Sequence, residues 1–271
     1  MLRSGIDERT QAVNRYARLN ALLDAMANDG NIDVDKIARI LQVSSSTIRR
    51  DLNHLDAQQL VTRTRGGAVA TTVSYDLPIR YRKAMKHSEK TRIGAAAAAM
   101  VSRGEVAGLN GGTTTTEVAR AIAERATSAD SDEQVTIVTN AINIAGELTV
   151  RRHVKLVMTG GVARPKSFEL TGALAAATLQ QVDLDVAIMG VDAFDPDTGA
   201  KANDEEEASI NRLMAQRARR LIIVADSSKL TARAFAKICP VSDVHCLITD
   251  NGANPAVLNR IRQAGVSVLT V

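Results

Sequence analysis

At 271 residues the chain is long enough for a small domain followed by a larger one. Apolar residues make up 45% and aromatics 2%, with no Trp, so a sizeable core must be built from Ala, Val, Leu and Ile, a composition suited to helices on a parallel sheet. The net charge of +4 is too small to announce a polyanionic partner, and no apolar run reaches the roughly 18–20 residues that span a bilayer. The start, MLRSGIDERTQ, has no hydrophobic stretch of the signal-peptide kind, so a soluble cytoplasmic protein is expected. Cys239 and Cys246 read as buried free thiols. His54, His87, His153 and His245 are scattered without ligand spacing, so neither a metal nor a cofactor is expected.

A first helix is expected from about Asp7 to Ala27, with Val13, Tyr16, Ala17, Leu19, Leu22, Leu23 and Met26 at helical spacing. Asn28-Asp29-Gly30-Asn31 ends it. Asp33 then caps a short helix, Val34–Leu41, with Ile37, Ile40 and Leu41 facing inward, and Gln42-Val43 turns the chain. Val43–Leu60 forms the next helix, with Ser44 at its N-cap. At about 100° per residue, Ile48, Leu52 and Leu55 fall on one stripe, while Ser46, Arg50 and Asn53 lie opposite and Arg49 and His54 on the shoulders. Two short helices joined by a tight turn match a helix-turn-helix whose second helix enters the DNA major groove. Ser45, Ser46, Thr47, Arg49, Arg50 and Asn53 are the candidate DNA contacts.

Val61–Arg65 alternates like a strand, Gly66-Gly67 turns it and Ala68–Val73 returns, giving a hairpin that projects Arg63 and Arg65. A plain surface hairpin has the same pattern. Directly after a helix-turn-helix, a wing that meets phosphates or the minor groove is the better reading. Positive charge gathers nearby: residues 76–92 hold six basic against two acidic side chains. A solvated basic linker explains that run equally well. The run VSSSTIRRDLNHLDAQQLVTRTRGGAVA resembles the winged helix of the DeoR family of bacterial transcriptional regulators, through Val43, Ser44, Thr47, Ile48, Arg49, Arg50, Asp51, Leu52, Leu55, Gly66, Gly67 and Ala68. Arg65 stands where that family usually has His, which keeps a donor and adds a permanent charge.

Thr71–Ile79, broken by Pro78, marks a boundary. The expected organisation is therefore a winged helix-turn-helix domain at 1–75, a basic linker at 76–92 and an α/β domain at 93–271. A helix is read over His87–Val101. Beyond it, seven β-branched runs (Val106–Leu109, Thr136–Val138, Lys155–Met158, Val186–Met189, Leu221–Val224, Cys246–Ile248 and Val266–Leu269) alternate with helical patterns at Thr116–Arg125, Ala141–Leu148, Gly172–Gln180, Glu206–Arg219 and Pro255–Ala264. This alternation predicts a mostly parallel sheet covered on both faces, with ligands outside the carboxyl ends of its strands.

Unusual residues gather at those ends. Asn110-Gly111-Gly112-Thr113-Thr114-Thr115 lies between a strand and a helix, where glycines admit an anion to the backbone and a helix N-terminus favours negative charge. It is neither a P-loop nor a dinucleotide fingerprint, so a phosphorylated small molecule fits better than a nucleotide. Thr139-Asn140, Gly160-Gly161, Asp192, Glu207 and Lys229 occupy the other ends, Lys229 as a cation for a phosphate or sugar oxygen. Asp204 to Glu207 precede a helix, where simple capping accounts for at least part of the cluster.

N-G-G-T-T-T, V-T-N-A, T-G-G, G-V-D, D-x-E-E-A and D-S-S-K are similar to the DeoR-family effector domain. The resemblance implies a ribose-5-phosphate isomerase-like fold that binds sugar phosphates. Met189-Gly190-Val191-Asp192 keeps the second Asp of the isomerase's D-G-A-D and loses the first, and its K-G-G-G-G segment is not evident near Thr198–Asp204, which argues against turnover. Asn110 stands where the family often has Asp. The expectation is a non-enzymatic, homo-oligomeric repressor of sugar or polyol catabolism genes, bound to double-stranded operator DNA and released by a phosphorylated sugar. The alternative is a phosphosugar isomerase or deaminase using Asp192, Glu207 and Lys229, with an accessory DNA-binding domain.

Overall fold

The computed structural model describes residues 15–29, 31–57, 60–70, 86–127 and 134–271, which fall in two compact units, Met1–Met85 and Lys86–Val271. The first contains α1 (Arg15–Asp29), β1 (Asn31–Asp33), α2 (Val34–Ile40), α3 (Ser45–Ala57), β2 (Val61–Thr64) and β3 (Gly67–Ala70). Its core joins Leu19, Leu22, Leu23 and Met26 of α1 to Val34, Ile37 and Ala38 of α2 and to Ile48, Leu52 and Leu55 of α3. Positions 7–14 of the expected first helix, including Val13, and the side chains of Tyr16 and Ala17 lie outside the described residues.

The Asp33 carboxylate accepts the Lys36 amide at 2.8 Å and so caps α2, as expected. Ile40 does not face inward. Val34, Ile37 and Ala38 make the buried i, i+3, i+4 stripe, which leaves Ile40 62% exposed and Leu41 half-buried. The hairpin turns at Arg65-Gly66, one residue earlier than expected, and Gly67 opens β3. A Cβ on Gly67 would lie 1.9 Å from the Ile32 carbonyl oxygen, so only glycine lets β3 pair with β1. That third strand was not expected: three residues inside a turn-rich stretch carry too short an alternation to register.

The larger unit opens with α4 (His87–Ala99), which buries Ile93, Ala97 and Ala98. Residues 87–92 therefore belong to a helix of this unit and not to a linker ending at 92, because the apolar stripe recruits the turns before it. Residues 76–85 of that expected linker lie outside the described residues. Then come β4 (Val106–Leu109), α5 (Thr113–Thr127), β5 (Val135–Thr139), α6 (Ile142–Leu148), β6 (Val154–Met158), β7 (Val162–Ala163), β8 (Leu170–Thr171), α7 (Ala173–Leu179) and β9 (Leu184–Gly190). After these follow β10 (Ala193–Asp195), β11 (Gly199–Ala202), α8 (Glu205–Gln216), β12 (Ala218–Val224), β13 (Ala236–Cys239), β14 (Cys246–Thr249), α9 (Pro255–Gln263) and β15 (Ser267–Thr270).

Seven strands form one parallel sheet in the order β15-β14-β12-β9-β4-β5-β6, all seven at the positions expected from sequence. The helix expected to reach Arg219 stops at Gln216, because Ala218 already pairs with Leu184 in the β9–β12 ladder. Alternate strand residues serve opposite faces. Ala187, Met189, Leu221, Ile223 and Leu247 meet Leu179 of α7, Met214 of α8 and Ile261 of α9 in one core. Val186, Ile188, Ile222, Val224 and Ile248 join Ile93 of α4, Val118 and Ile122 of α5 and Ile144 of α6 in the other. Such two-faced burial explains why these strands read as continuous apolar runs.

From β4 the chain steps outward through β5 and β6; from β9 it steps the opposite way through β12, β14 and β15. The order reverses between β4 and β9, and a crevice at that switch point is where open parallel sheets take their ligands. Two small sheets, β7–β8 and β10–β11–β13, escaped sequence reading because their strands are two to four residues long. Among the described residues no helix is long and apolar enough to cross a membrane.

Candidate functional site

On α3 the burial pattern separates a packing face from a presenting face. Ile48, Leu52 and Leu55 are fully buried, while Ser46, Arg49, Arg50 and Asn53 are exposed. Ser46, Arg50 and Asn53 stand at i, i+4 and i+7, so one stripe carries hydroxyl, guanidinium and amide together. Ser44 caps the helix: its Oγ accepts the Thr47 amide at 3.2 Å and lies 2.8 Å from both Ser46 Oγ and Thr47 Oγ1. Ser45 is turned to α2, where its hydroxyl donates to Asp35 Oδ1 at 2.7 Å. Arg65 at the hairpin tip is exposed; Arg63 is half-buried, with Nη1 buried and without a hydrogen-bond partner among the described residues. Behind the presenting face, Arg18 of α1 donates from Nε to the buried Asp51 carboxylate, and Arg15 Nε stands 3.7 Å from it. Sequence reading gave Asp51 no such role. An acid beside the apolar stripe of a helix was the available signal.

At the switch point, the Asn110 side chain is committed to backbone. It donates from Nδ2 to the Gly190 carbonyl at 2.9 Å and accepts the Gly190 amide on Oδ1 at 2.8 Å. Gly111 follows against Glu169: an added Cβ would stand 2.3 Å from Glu169 Cγ. The Gly112 carbonyl accepts the hydroxyls of Thr115 at 3.1 Å and Thr116 at 2.7 Å. Those two side chains therefore shape the loop, and the first-turn amides of α5, at Thr113, Thr114 and Thr115, are donors with no carbonyl to meet inside the helix. Thr139 is fully buried, donating to the Leu109 carbonyl at 2.7 Å. Asn140 donates to Glu169 Oε2 at 3.0 Å. Gly160 and Gly161 lead into the β7–β8 hairpin.

Asp192 Oδ2 accepts the Asn203 amide at 2.9 Å. Asp204 caps α8, accepting the amides of Glu206 at 3.0 Å and Glu207 at 3.1 Å, as the capping expectation had it. Arg164, in the connection between β7 and β8, binds Asp204, Glu206 and Glu207 together. Glu207 also accepts Ser167 Oγ at 2.6 Å. Burial raises the Glu207 carboxyl above the ordinary carboxylate range, helped by Asp192 and Asp204, against the Ser167 hydrogen bond and Arg164.

Beyond β12, Asp226 caps a single turn, Ser227–Leu230, that carries Lys229. Burial works to raise the Asp226 carboxyl, but the Ser228 hydrogen bond and the charges of Lys229, Lys86 and Lys90 hold it below its usual value. Lys90 is buried on α4, in line with Ile93 and Ala97. Sequence reading missed it; a lysine on an otherwise apolar stripe was the clue.

Comparison with known proteins finds two family descriptions along the chain. The description "DeoR-like helix-turn-helix domain" matches residues 18–73, and "DeoR C terminal sensor domain" matches residues 85–251. The chain belongs to the DeoR family.

Among DeoR-family relatives, the HTH-type transcriptional repressor GlcR of Bacillus subtilis is 32% identical over 254 residues, covering 93% of this chain and 95% of that protein. The glycerol-3-phosphate regulon repressor of Escherichia coli K12 is 29% identical over 233 residues, covering 86% and 90%. The structure of ribose 5-phosphate isomerase A from Methanocaldococcus jannaschii is similar over 54% of this chain and 55% of that one, at 18% identity and a TM-score of 0.41. In the DeoR-family sensor unit, the Asn110-Gly111-Gly112 loop that leads into α5, Gly190–Asp192 and the Asp226–Lys229 turn all lie at carboxyl ends of parallel strands. Among the described residues no group of three or more His, Cys, Asp or Glu is arranged to hold a metal ion.

Proposed function

We propose that this DeoR-family chain is a cytoplasmic, non-enzymatic repressor of sugar or polyol catabolism genes. It binds operator DNA as a homo-oligomer through α3 and the wing, and it is released by a phosphorylated sugar. The reading rests on one pairing: a helix exposing Arg49, Arg50 and Asn53 opposite a fully buried stripe, and, in the same chain, an anion-favouring loop at the switch point of a parallel sheet. Arg49 and Arg50 contact guanine edges or phosphates, Ser46, Thr47 and Asn53 contact bases or backbone, and Arg63 and Arg65 anchor the wing. Ser45, engaged with Asp35, sets the angle between α2 and α3 rather than touching DNA.

In the effector site the amides at Thr113 to Thr115 and the cations Lys229 and Lys90 receive the phosphoryl group. Asp192 and Glu207 address sugar hydroxyls, and Asn110, Thr139 and Asn140 hold the loops in register. The relatives named as repressors support a regulator over an enzyme.

Two measurements test this reading. Thermal-shift screening with three- to six-carbon sugar phosphates is expected to give at least one member that raises the midpoint further as its concentration rises above its dissociation constant; no shift across the panel removes the effector assignment. Arg50→Ala is expected to weaken DNA binding by ~1–3 kcal/mol at fixed salt if it reads a base; unchanged affinity removes that role.

A further inference from the structure

Lys86 is the first residue of the larger unit, and the chain before it runs on in sequence to the DNA-reading unit. Its Nζ donates to Ser227 Oγ at 3.1 Å and stands 3.5 Å from Asp226 Oδ1, 140 residues further on. Both partners belong to the turn that carries Lys229. The Asp226 side chain is only 6% exposed, whereas Lys86 is 38% exposed, so the anchor holds a solvent-edge cation against a buried carboxylate. The backbone of Lys86 is left-handed, with φ of 49°, and it precedes α4 without a side-chain cap. A non-glycine residue keeps that conformation only where its surroundings hold it.

We infer that Lys86 couples the effector site to the DNA-reading unit: an anion seated at the 226–229 turn draws the Lys86 ammonium away from Asp226 and Ser227. The inference rests on the reading of this end of the sheet as a phosphosugar site. Three cations, Lys86, Lys90 and Lys229, act on the one Asp226 carboxylate. The other nearby acid, Asp250, is engaged by the Ser227 amide at 2.6 Å and the Gly252 amide at 2.9 Å. A phosphoryl dianion adds charge and acceptor oxygens to a turn already rich in cations, and the half-exposed Lys86 is the one attached to the chain's exit. Losing its contacts releases the left-handed residue that opens the larger unit. A ligand that weakens DNA binding in this way must itself bind less tightly to the DNA-bound protein by the same factor.

The test uses the full chain, duplex DNA selected by that chain from a random library, and the sugar phosphate giving the largest thermal shift in the panel. The quantity read is the ratio of DNA affinities without and with saturating effector. Wild type is expected to show roughly 5–150-fold, Lys86→Met less than about twofold, and Lys86→Arg the wild-type ratio. If Lys86→Met does not fold by circular dichroism, Lys86→Gln, which keeps length while removing charge, is put through the same measurement. A wild-type ratio in the neutral variant overturns the coupling role and leaves the effector site standing. Loss of coupling in Lys86→Arg as well ascribes the effect to something other than the cation and also overturns it. Absence of any thermal shift in wild type overturns the effector reading, and this inference with it.

Discussion

Asn110 closes the gap between two strand ends by bonding both the carbonyl and the amide of Gly190, at 2.9 and 2.8 Å. It sits where β4 ends beside β9, so one side chain continues the β4–β9 ladder past its last backbone pair, at the point where the strand order reverses. Asn110→Ala leaves two partly buried backbone groups of Gly190 unmet and is expected to cost about 1–3 kcal/mol. Urea denaturation of the intact chain reads this cost. A midpoint equal to wild type contradicts it.

The Arg18–Asp51 pair makes a comparable demand in the small unit. Arg18→Met leaves a carboxylate that is 2% exposed with Arg15, at 3.7 Å, as its remaining cation among the described residues, and is expected to cost about 3 kcal/mol. Adding Asp51→Leu removes the stranded charge, so the double variant is expected to be more stable than Arg18→Met alone. A double variant that is less stable than the single one means the pair is not what burial makes of it.

Glu207 ties stability to pH in a defined direction. Its folded-state carboxyl is raised by burial and by Asp192 and Asp204, so between its unfolded value of 4.5 and the higher folded value the native state binds the extra proton. Stability from this group is therefore greatest at acid pH and falls as pH rises through that window. Glu207→Gln abolishes the dependence, so wild type is expected to lose ground to the variant on going up from pH 4.5 and to level off above the folded value. Parallel melting curves for the two proteins at every pH contradict the assignment.

Cys239 and Cys246 are both buried. Burial pushes the Cys239 thiol up to about 11, so thiolate is scarce at neutral pH. Iodoacetamide at pH 7.5 is expected to label neither residue in the native protein and both in urea, read by mass spectrometry; rapid native labelling of Cys239 rules out this buried setting.

The sequence by itself determined the two-part organisation, the helix-turn-helix with its Ser44 cap, and all seven strands of the large sheet. Each of these depends on local chemistry: a cap three residues before the amide it accepts, a stripe at helical spacing, or an apolar run buried on both faces. The Arg49, Arg50 and Asn53 face was legible for the same reason, since Ile48, Leu52 and Leu55 specify which side must be buried.

What only tertiary structure decided are the pairings between residues far apart in the chain. Nothing local joins Asn110 to Gly190, Arg18 to Asp51, Arg164 to Glu207 or Lys86 to Ser227. The role of Asn110 turned on this: a polar residue at a strand end reads as a ligand donor until the neighbouring strand is known, and strand order is a property of the whole sheet. Likewise β1 exists because Gly67 lets Ile32 come close, and the buried Lys90 of α4 is among the charges that hold the Asp226 carboxyl low. Periodicity reports which face is buried; only packing says which polar groups meet there.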